Sequence, residues 1–106
     1  MPFPTGWPPP IPTNMYSLRF AATGTTTANF TDNAFLFVHP NGSGGQAWSQ
    51  GLRIVATTAD IEFSFDGQNV HGRVPAGNEY FYFDRHEGGI SVRGSGGNGA
   101  FEIEAW

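Results

Sequence analysis

The sequence predicts an all-β protein: an antiparallel, jelly-roll-like β-sandwich of about eight short strands, preceded by an extended proline-rich arm. No segment repeats apolar residues at the helical period, and short β-prone stretches recur about every eight to twelve residues. The 15 glycines favour turns between them. Six of the eight prolines fall within the first twelve residues. These features indicate a stiff leading segment followed by a compact sandwich.

The leading segment, residues 1–14, is predicted to be an extended arm, and residues 15–106 a single β-sandwich domain. Proline fixes φ, lacks a backbone N–H and keeps its predecessor extended, so the arm suits a polyproline-like conformation. The arm also carries the large apolar side chains Phe3, Trp7 and Ile11. Burial of such side chains is favourable, so we expect the arm to lie on its own domain or on a neighbouring subunit.

The order of strands follows from β-prone runs separated by Gly, Pro, Asn and Asp. The predicted strands cover residues 17–22, 34–38, 52–56, 61–65, 70–74, 79–83, 90–93 and 100–106, and a further β-prone stretch lies at 25–30. No connection is long enough for a crossover helix, which favours antiparallel pairing. Asp66-Gly67 marks a hairpin between two of these strands.

Alternation within a strand predicts which side chains face the core. In residues 61–65, Ile61, Phe63 and Phe65 are expected inward, with Glu62 and Ser64 outward. Residues 34–38 are apolar on both faces, which predicts a strand covered on both sides.

The aromatic strand at 79–83 alternates tyrosine with phenylalanine. We expect Phe81 and Phe83 inward, with Tyr80 and Tyr82 presenting an outward aromatic face of the kind enriched at protein interfaces. Trp106 ends the closing strand, where it either seals the core or touches a partner.

Composition restricts the partners. Charged residues make up 13% of the chain, about half the usual share, and the net charge is −4. We expect part of the surface to be covered by a partner in the working state, the alternative being a surface of uncharged polar groups. All five basic residues are arginines and they are dispersed, so no nucleic acid is expected as a partner. No apolar run approaches the roughly 20 residues of a membrane helix, so no membrane is expected either.

The residues that carry chemistry form no recognisable catalytic or metal-binding motif. Glu102 and Glu104 share a strand face, but any solvent-facing strand gives that spacing. The histidines, His39, His71 and His86, lack metal-ligand spacing, and there is no cysteine. We therefore expect no enzymatic activity, no metal and no cofactor.

Residues 84–87 are the densest charged cluster. Arg85 and His86 are candidates for contacts with a neighbouring subunit, the alternative being a solvated turn. The aromatic side chains Trp48, Tyr80 and Tyr82 leave a third possibility open: stacking on sugar rings, as in a carbohydrate-binding module.

Four stretches of the sequence form a recognisable pattern: the strand and turn at 61–67, the strand and Pro-Ala-Gly turn at 70–77, the segment 83–90, and the ending at 101–106. In this pattern the chain resembles small virion structural proteins of tailed bacteriophages. The likeness covers roughly residues 52–106, and the proline-rich opening agrees with it.

This resemblance implies a β-sandwich that decorates or cements a capsid, or that sits at the head–tail junction, and it brings no catalytic residues. The implied partners are the major capsid protein or other virion proteins, with a homo-oligomer as the working form. The implied location is the virion, assembled in the host cytoplasm. The alternatives are a head–tail adaptor, a tail or fibre protein, or a carbohydrate-binding β-sandwich module.

Overall fold

A computed structural model describes residues 20–38 and 45–106. Eight strands form two four-stranded antiparallel sheets, which confirms the predicted all-β sandwich. The strands are β1 Phe20–Thr25, β2 Ala34–Leu36, β3 Leu52–Ala56, β4 Ile61–Ser64, β5 Gly72–Val74, β6 Asn78–Tyr82, β7 Gly89–Gly94 and β8 Ala100–Ala105. The predicted arm, with Phe3, Trp7 and Ile11, lies outside the described residues.

The strand order follows from folding the chain in half. β1 pairs with β8, β2 with β7, β3 with β6 and β4 with β5, all antiparallel. A β3–β8 pair joins two of these strand pairs into sheet I, in the order β1-β8-β3-β6. A β4–β7 pair joins the other two into sheet II, in the order β2-β7-β4-β5. This arrangement is a jelly roll.

The core lies between the two sheets. β3 contributes Leu52, Ile54 and Ala56, all fully buried, at every second position. β4 and β8 follow the same rule, with Ile61 and Phe63 from one and Phe101 and Ile103 from the other. The predicted inward faces of these strands are confirmed, and Phe65 packs against the core while partly buried.

The first strand and the stretch after it differ from the prediction. The strand expected at 17–22 is described from Phe20 and continues to Thr25. The β-prone stretch 25–30 leaves the sheet after Thr25, and Phe30–Asn33 forms a 3₁₀ turn. Side-chain hydrogen bonds favour this path, because the Thr27 hydroxyl donates to Asp32 at 2.6 Å and accepts from the Asn29 N–H.

The prediction that residues 34–38 are covered on both sides is wrong. Phe35 and Phe37 face inward, and Phe37 is fully buried. Leu36 is 61% exposed and Val38 is 41% exposed, on the opposite face. β2 lies at the edge of sheet II, where the described residues cover only its inner side.

The β4–β5 connection is longer than the four residues predicted between the strands at 61–65 and 70–74, because β4 ends at Ser64 and β5 begins only at Gly72. Ser64, expected to face solvent, is fully buried beneath this connection, where its hydroxyl accepts the N–H groups of Asp66 and Gly67. The Asp66 carboxylate accepts the N–H groups of Asn69 and Gln68, which lowers the pKa of Asp66 below its usual range. The sequence analysis predicted a turn at Asp66 but did not predict that its carboxylate would accept hydrogen bonds from two backbone N–H groups of that turn.

The predicted orientation of β6 is also wrong. Tyr80 lies opposite Ile54, and Tyr82 lies opposite Leu52, so both tyrosines share the inward face of β3. Their rings pack edge-on against the buried Phe63 at 5.9 and 6.0 Å. Phe81 and its neighbour Phe83 therefore point to the outer side of sheet I. The register of β6 with β3 therefore decides which side chains of β6 face the core.

Trp106 is buried, which agrees with a role in sealing the core. Its backbone exchanges two hydrogen bonds of 3.1 Å with Gly51. A Cβ at position 51 would lie 2.5 Å from the Trp106 ring, so the absence of a side chain at Gly51 makes room for the indole.

Candidate functional site

The titratable side chains of the described residues are distributed over separate parts of the molecule. His71 accepts the Phe65 N–H through Nδ1 at 2.9 Å, and His86 is exposed in the turn after β6. Glu104 is ion-paired with Arg53 at 2.7 Å and does not associate with Glu102. Within residues 20–38 and 45–106, no three His, Cys, Asp or Glu side chains cluster as a metal site would require. His39 lies outside that part of the chain.

The charged turn at 84–87 is held against its own domain. The Arg85 guanidinium lies 4.5 Å from the ring centre of Phe65 and 5.4 Å from that of Tyr82. Its Nε also contacts Glu87 at 2.6 Å. Burial raises the pKa of Tyr82 in this cluster. Arg85 therefore has an intramolecular role that sequence reasoning missed, whereas His86 beside it is exposed.

Ser49 holds the turn at 84–87 in place through two hydrogen bonds of its hydroxyl. Its hydroxyl donates to the Arg85 carbonyl at 2.6 Å and accepts the Glu87 N–H at 3.0 Å. Ser49 is fully buried, so both bonds are shielded from water. The turn and the segment that carries Trp48 are consequently fixed relative to each other.

The first exposed apolar surface consists of Leu36, Val38 and Trp48, and we call it the β2 patch. Leu36 and Val38 alternate with the partly buried Phe35 and the buried Phe37, so they project from the outer face of sheet II. Trp48 is 50% exposed beside them. The patch adjoins β2, an edge strand that pairs only with β7 among the described residues.

The second exposed apolar surface consists of Phe81 and Phe83, and we call it the β6 patch. Their rings stack at 5.4 Å with an interplanar angle of 8°, and Phe83 is 63% exposed. Arg53 lies 6.0 Å from the Phe81 ring centre and is ion-paired with Glu79 at 2.8 Å. Stacked rings beside a charge network form a rigid apolar surface on the outer face of sheet I.

The two patches lie at opposite corners of the sandwich. Phe20 of β1 contacts Phe35 and Phe37, so the β1 edge of sheet I lies over the β2 edge of sheet II. β6 occupies the other edge of sheet I, near β5. The patches therefore face away from each other, one from each sheet.

A groove of about 540 Å³ runs beside the β2 patch, and we call it the Trp48 groove. It is lined by β2, Gln46, Trp48, the turn at 65–67 and the segment 88–91. A Cβ at Gly88 would collide with the Gln46 amide and lie 3.3 Å from the Trp48 indole nitrogen. Gly88 and Gly89 therefore form the floor of the groove, and the side chains of Gln46 and Trp48 lie next to Gly88.

Of the residues predicted to contact partners, Tyr80 and Tyr82 come together with Arg85 on the inner side of sheet I; Tyr80 remains 42% exposed. The predicted residues Phe3, Trp7 and Ile11 are not among those described. Leu36, Val38 and Phe83 were not predicted as surface residues. The signal for Leu36 and Val38 is a strand with apolar residues on both faces, which sequence reasoning assigned to double coverage, whereas Phe83 was predicted to face inward.

Comparison with protein-family models, with curated proteins and with solved structures finds no match. Among the described residues no helix has the length and hydropathy needed to cross a membrane.

Proposed function

We propose that this protein is a non-enzymatic structural component of a tailed-bacteriophage virion, acting as a capsid decoration or cement protein. The observation that carries the proposal is the pair of apolar patches that face away from each other on the two sheets. A protein that joins neighbouring shell subunits needs two such surfaces on one rigid body. The major capsid protein is the proposed partner, and the virion, assembled in the host cytoplasm, is the proposed location.

The exposed side chains supply the driving force for such contacts. Burial of a large apolar side chain such as Leu36 or Phe83 stabilises a contact by roughly 1.5–3 kcal/mol. Both patches border β2 and β6, which are edge strands of their sheets among the described residues, and an edge strand can pair with a strand of a partner. The arm adds a third attachment through its apolar side chains, and linkage to the domain multiplies the affinity.

The fold is compatible with this role. Jelly rolls occur in viral capsid domains and in lectins, although a fold alone does not determine function. Repetition of the two contacts around a symmetry axis would produce a homo-oligomer, which is the working form we propose.

The experiment is binding of the purified protein to phage shells that lack it, measured by co-sedimentation. Phe83→Ser should weaken binding at least tenfold, and Leu36→Ser should do the same from the other patch. Thr23→Ser, exposed on the outer face of sheet I, is the matched control and should bind like wild type. Binding that neither patch variant weakens would refute the two-surface bridge.

Another position in the virion, at the head–tail adaptor, tail or fibre, is distinguished by localisation. A labelled copy in negative-stain images should mark the whole shell if the protein is a cement, and a single vertex or the tail if it is not.

A carbohydrate-binding module is the second candidate, favoured by the half-exposed Trp48 beside an open groove. An indole face stacks on sugar rings, and the Gln46 amide offers hydrogen bonds next to it. Retention on a glycan array that is lost in Trp48→Ala would support this function over the first.

A further inference from the structure

The Trp48 groove has the chemistry of a receptor for a proline-rich segment. Its walls are apolar and aromatic, formed by Leu36 and Trp48, and its floor is the glycine pair at 88 and 89. Extended proline-rich segments dock in grooves lined by aromatic side chains, because such segments are already stiff and lose little entropy on binding. The groove volume of about 540 Å³ suits a short segment of this kind.

The hydrogen-bonding groups of the groove match such a segment. Proline has no N–H, so a proline-rich chain presents mainly carbonyl acceptors and needs donors from its receptor. The Trp48 indole nitrogen lies beside Gly88, which lines the groove, and its N–H is a donor that such a carbonyl can use. The Gln46 amide donates only a long 3.4 Å bond to the Gly88 carbonyl and has a second N–H.

This chain carries a segment of the required type within reach. Residues 8–12 are Pro-Pro-Pro-Ile-Pro. Residue 12 precedes Phe20 by eight positions, an extended span of about 25 Å. The Phe20 ring lies 5.8 Å from that of Phe35, which lines the groove. The path from β1 around the β2 edge crosses about one sheet spacing, roughly 10 Å, so the tether is long enough.

We propose that residues 8–12 occupy the Trp48 groove of their own chain, with proline rings against the Trp48 indole and backbone carbonyls accepting its N–H. A tether of this length gives an effective concentration in the millimolar range, which favours the segment's own groove over that of a neighbour at micromolar protein.

Docking of this segment would orient the rest of the arm. A polyproline helix repeats every three residues, whereas Phe3, Trp7 and Ile11 are spaced by four, so successive side chains point about 120° apart. One groove cannot bury all three. With residues 8–12 docked, Phe3 and Trp7 would remain for contact with a partner. That consequence rests on the proposed shell-binding function, whereas the docking itself does not.

The test uses the absence of cysteine in this chain, so that introduced thiols have no competitors. Ile11→Cys, which keeps every proline, is combined with Ala34→Cys in the groove wall. The matched control combines Ile11→Cys with Thr23→Cys, which is exposed on the outer face of sheet I. Disulfide formation in dilute full-length protein is followed by peptide mapping and mass spectrometry.

The expected result is at least tenfold faster intrachain crosslinking at position 34 than at position 23. Trp48→Ala in the same background should slow the position-34 reaction several-fold. Equal rates at the two positions would overturn the proposal. A second experiment mixes the protein that carries only Ile11→Cys with the protein that carries only Ala34→Cys. The proposal would also be overturned if positions 11 and 34 crosslinked only between two chains in this mixture and not within one chain. The isolated chain is used throughout, so failure here is separable from failure to bind shells.

Discussion

Gly72→Ala tests how tightly the aromatic end of the sandwich is packed. Gly72 of β5 lies directly opposite Phe63 of β4, and the Phe63 ring covers it. A Cβ at position 72 would sit well inside van der Waals contact with that ring. Phe63 is fully buried against Phe65, Tyr80 and Tyr82, with ring centres 5.6–6.0 Å away, so it has no free space to enter.

The expected loss of stability is about 1–3 kcal/mol, the usual cost of an extra group in a packed core. For a domain of this size, that lowers the melting temperature by roughly 5–20 °C. The assay is urea unfolding followed by circular dichroism and tryptophan fluorescence. Gly97→Ala is the control, because a Cβ there meets no atom within 4 Å, and it should lie within about 0.5 kcal/mol of wild type.

A double-mutant cycle separates the clash from a general preference for glycine. Phe63→Leu alone should cost about 1–2 kcal/mol, but it removes the ring edge that a Cβ at position 72 would strike. The combined variant should be at least about 0.5 kcal/mol more stable than the sum of the single losses predicts. An additive cycle, or a Gly72→Ala protein as stable as wild type, would refute this reasoning.

Three further outcomes are expected. Asp66→Asn should destabilise the protein at neutral pH by urea unfolding. Because hydrogen bonds from Asn69 and Gln68 lower the folded pKa of Asp66, its stabilisation is fully present above the unfolded pKa of about 4 and is lost progressively as pH falls from there toward the folded pKa, so the gap between variant and wild type should narrow steadily below about pH 4, and a gap of constant size from pH 7 to pH 2 would contradict this. Arg85→Lys should cost about 0.5–1 kcal/mol in the same assay, since a lysine keeps the charge but not the flat contact with Phe65, and an unchanged midpoint would contradict it. Phe83→Ser should change stability by less than about 0.5 kcal/mol yet reduce the fluorescence of an apolar dye bound to the surface, whereas a large loss of stability would show that the Phe81 stack is part of the core.

The sequence predicted strands well where polar and apolar residues alternate. Residues 61–65 and 101–105 place apolar side chains at every second position, and the structure buries them as expected except for Phe65, which is partly buried. Residues 79–83 offered no such contrast, because the rings of tyrosine and phenylalanine are both large and apolar and either can face the core. The pairing of Tyr80 with Ile54 settles the orientation, and register between strands distant in sequence cannot be read from one strand alone.

The candidate site was less predictable than the fold. Trp48 was identified as an exposed aromatic candidate, but its groove combines residues from β2, the turn at 65–67 and the segment 88–91. These elements are distant in the sequence and come together only when the two sheets form. Arg85 was predicted to be an interface residue, and its contact with Phe65 and Tyr82 depends on a turn conformation fixed by the distant Ser49.

The position of β8 has a consequence for biosynthesis. β8 is inserted between β1 and β3, so neither of those strands has its full set of backbone partners until residues 100–105 have emerged from the ribosome. Sheet I therefore cannot be completed before β8 has been synthesised, and we expect it to form slowly because its contacts join strands that are distant in the sequence. Until then the apolar sides of β1 and β3 remain open to aggregation. Cells that overproduce this protein should accordingly depend on chaperones that hold nascent chains.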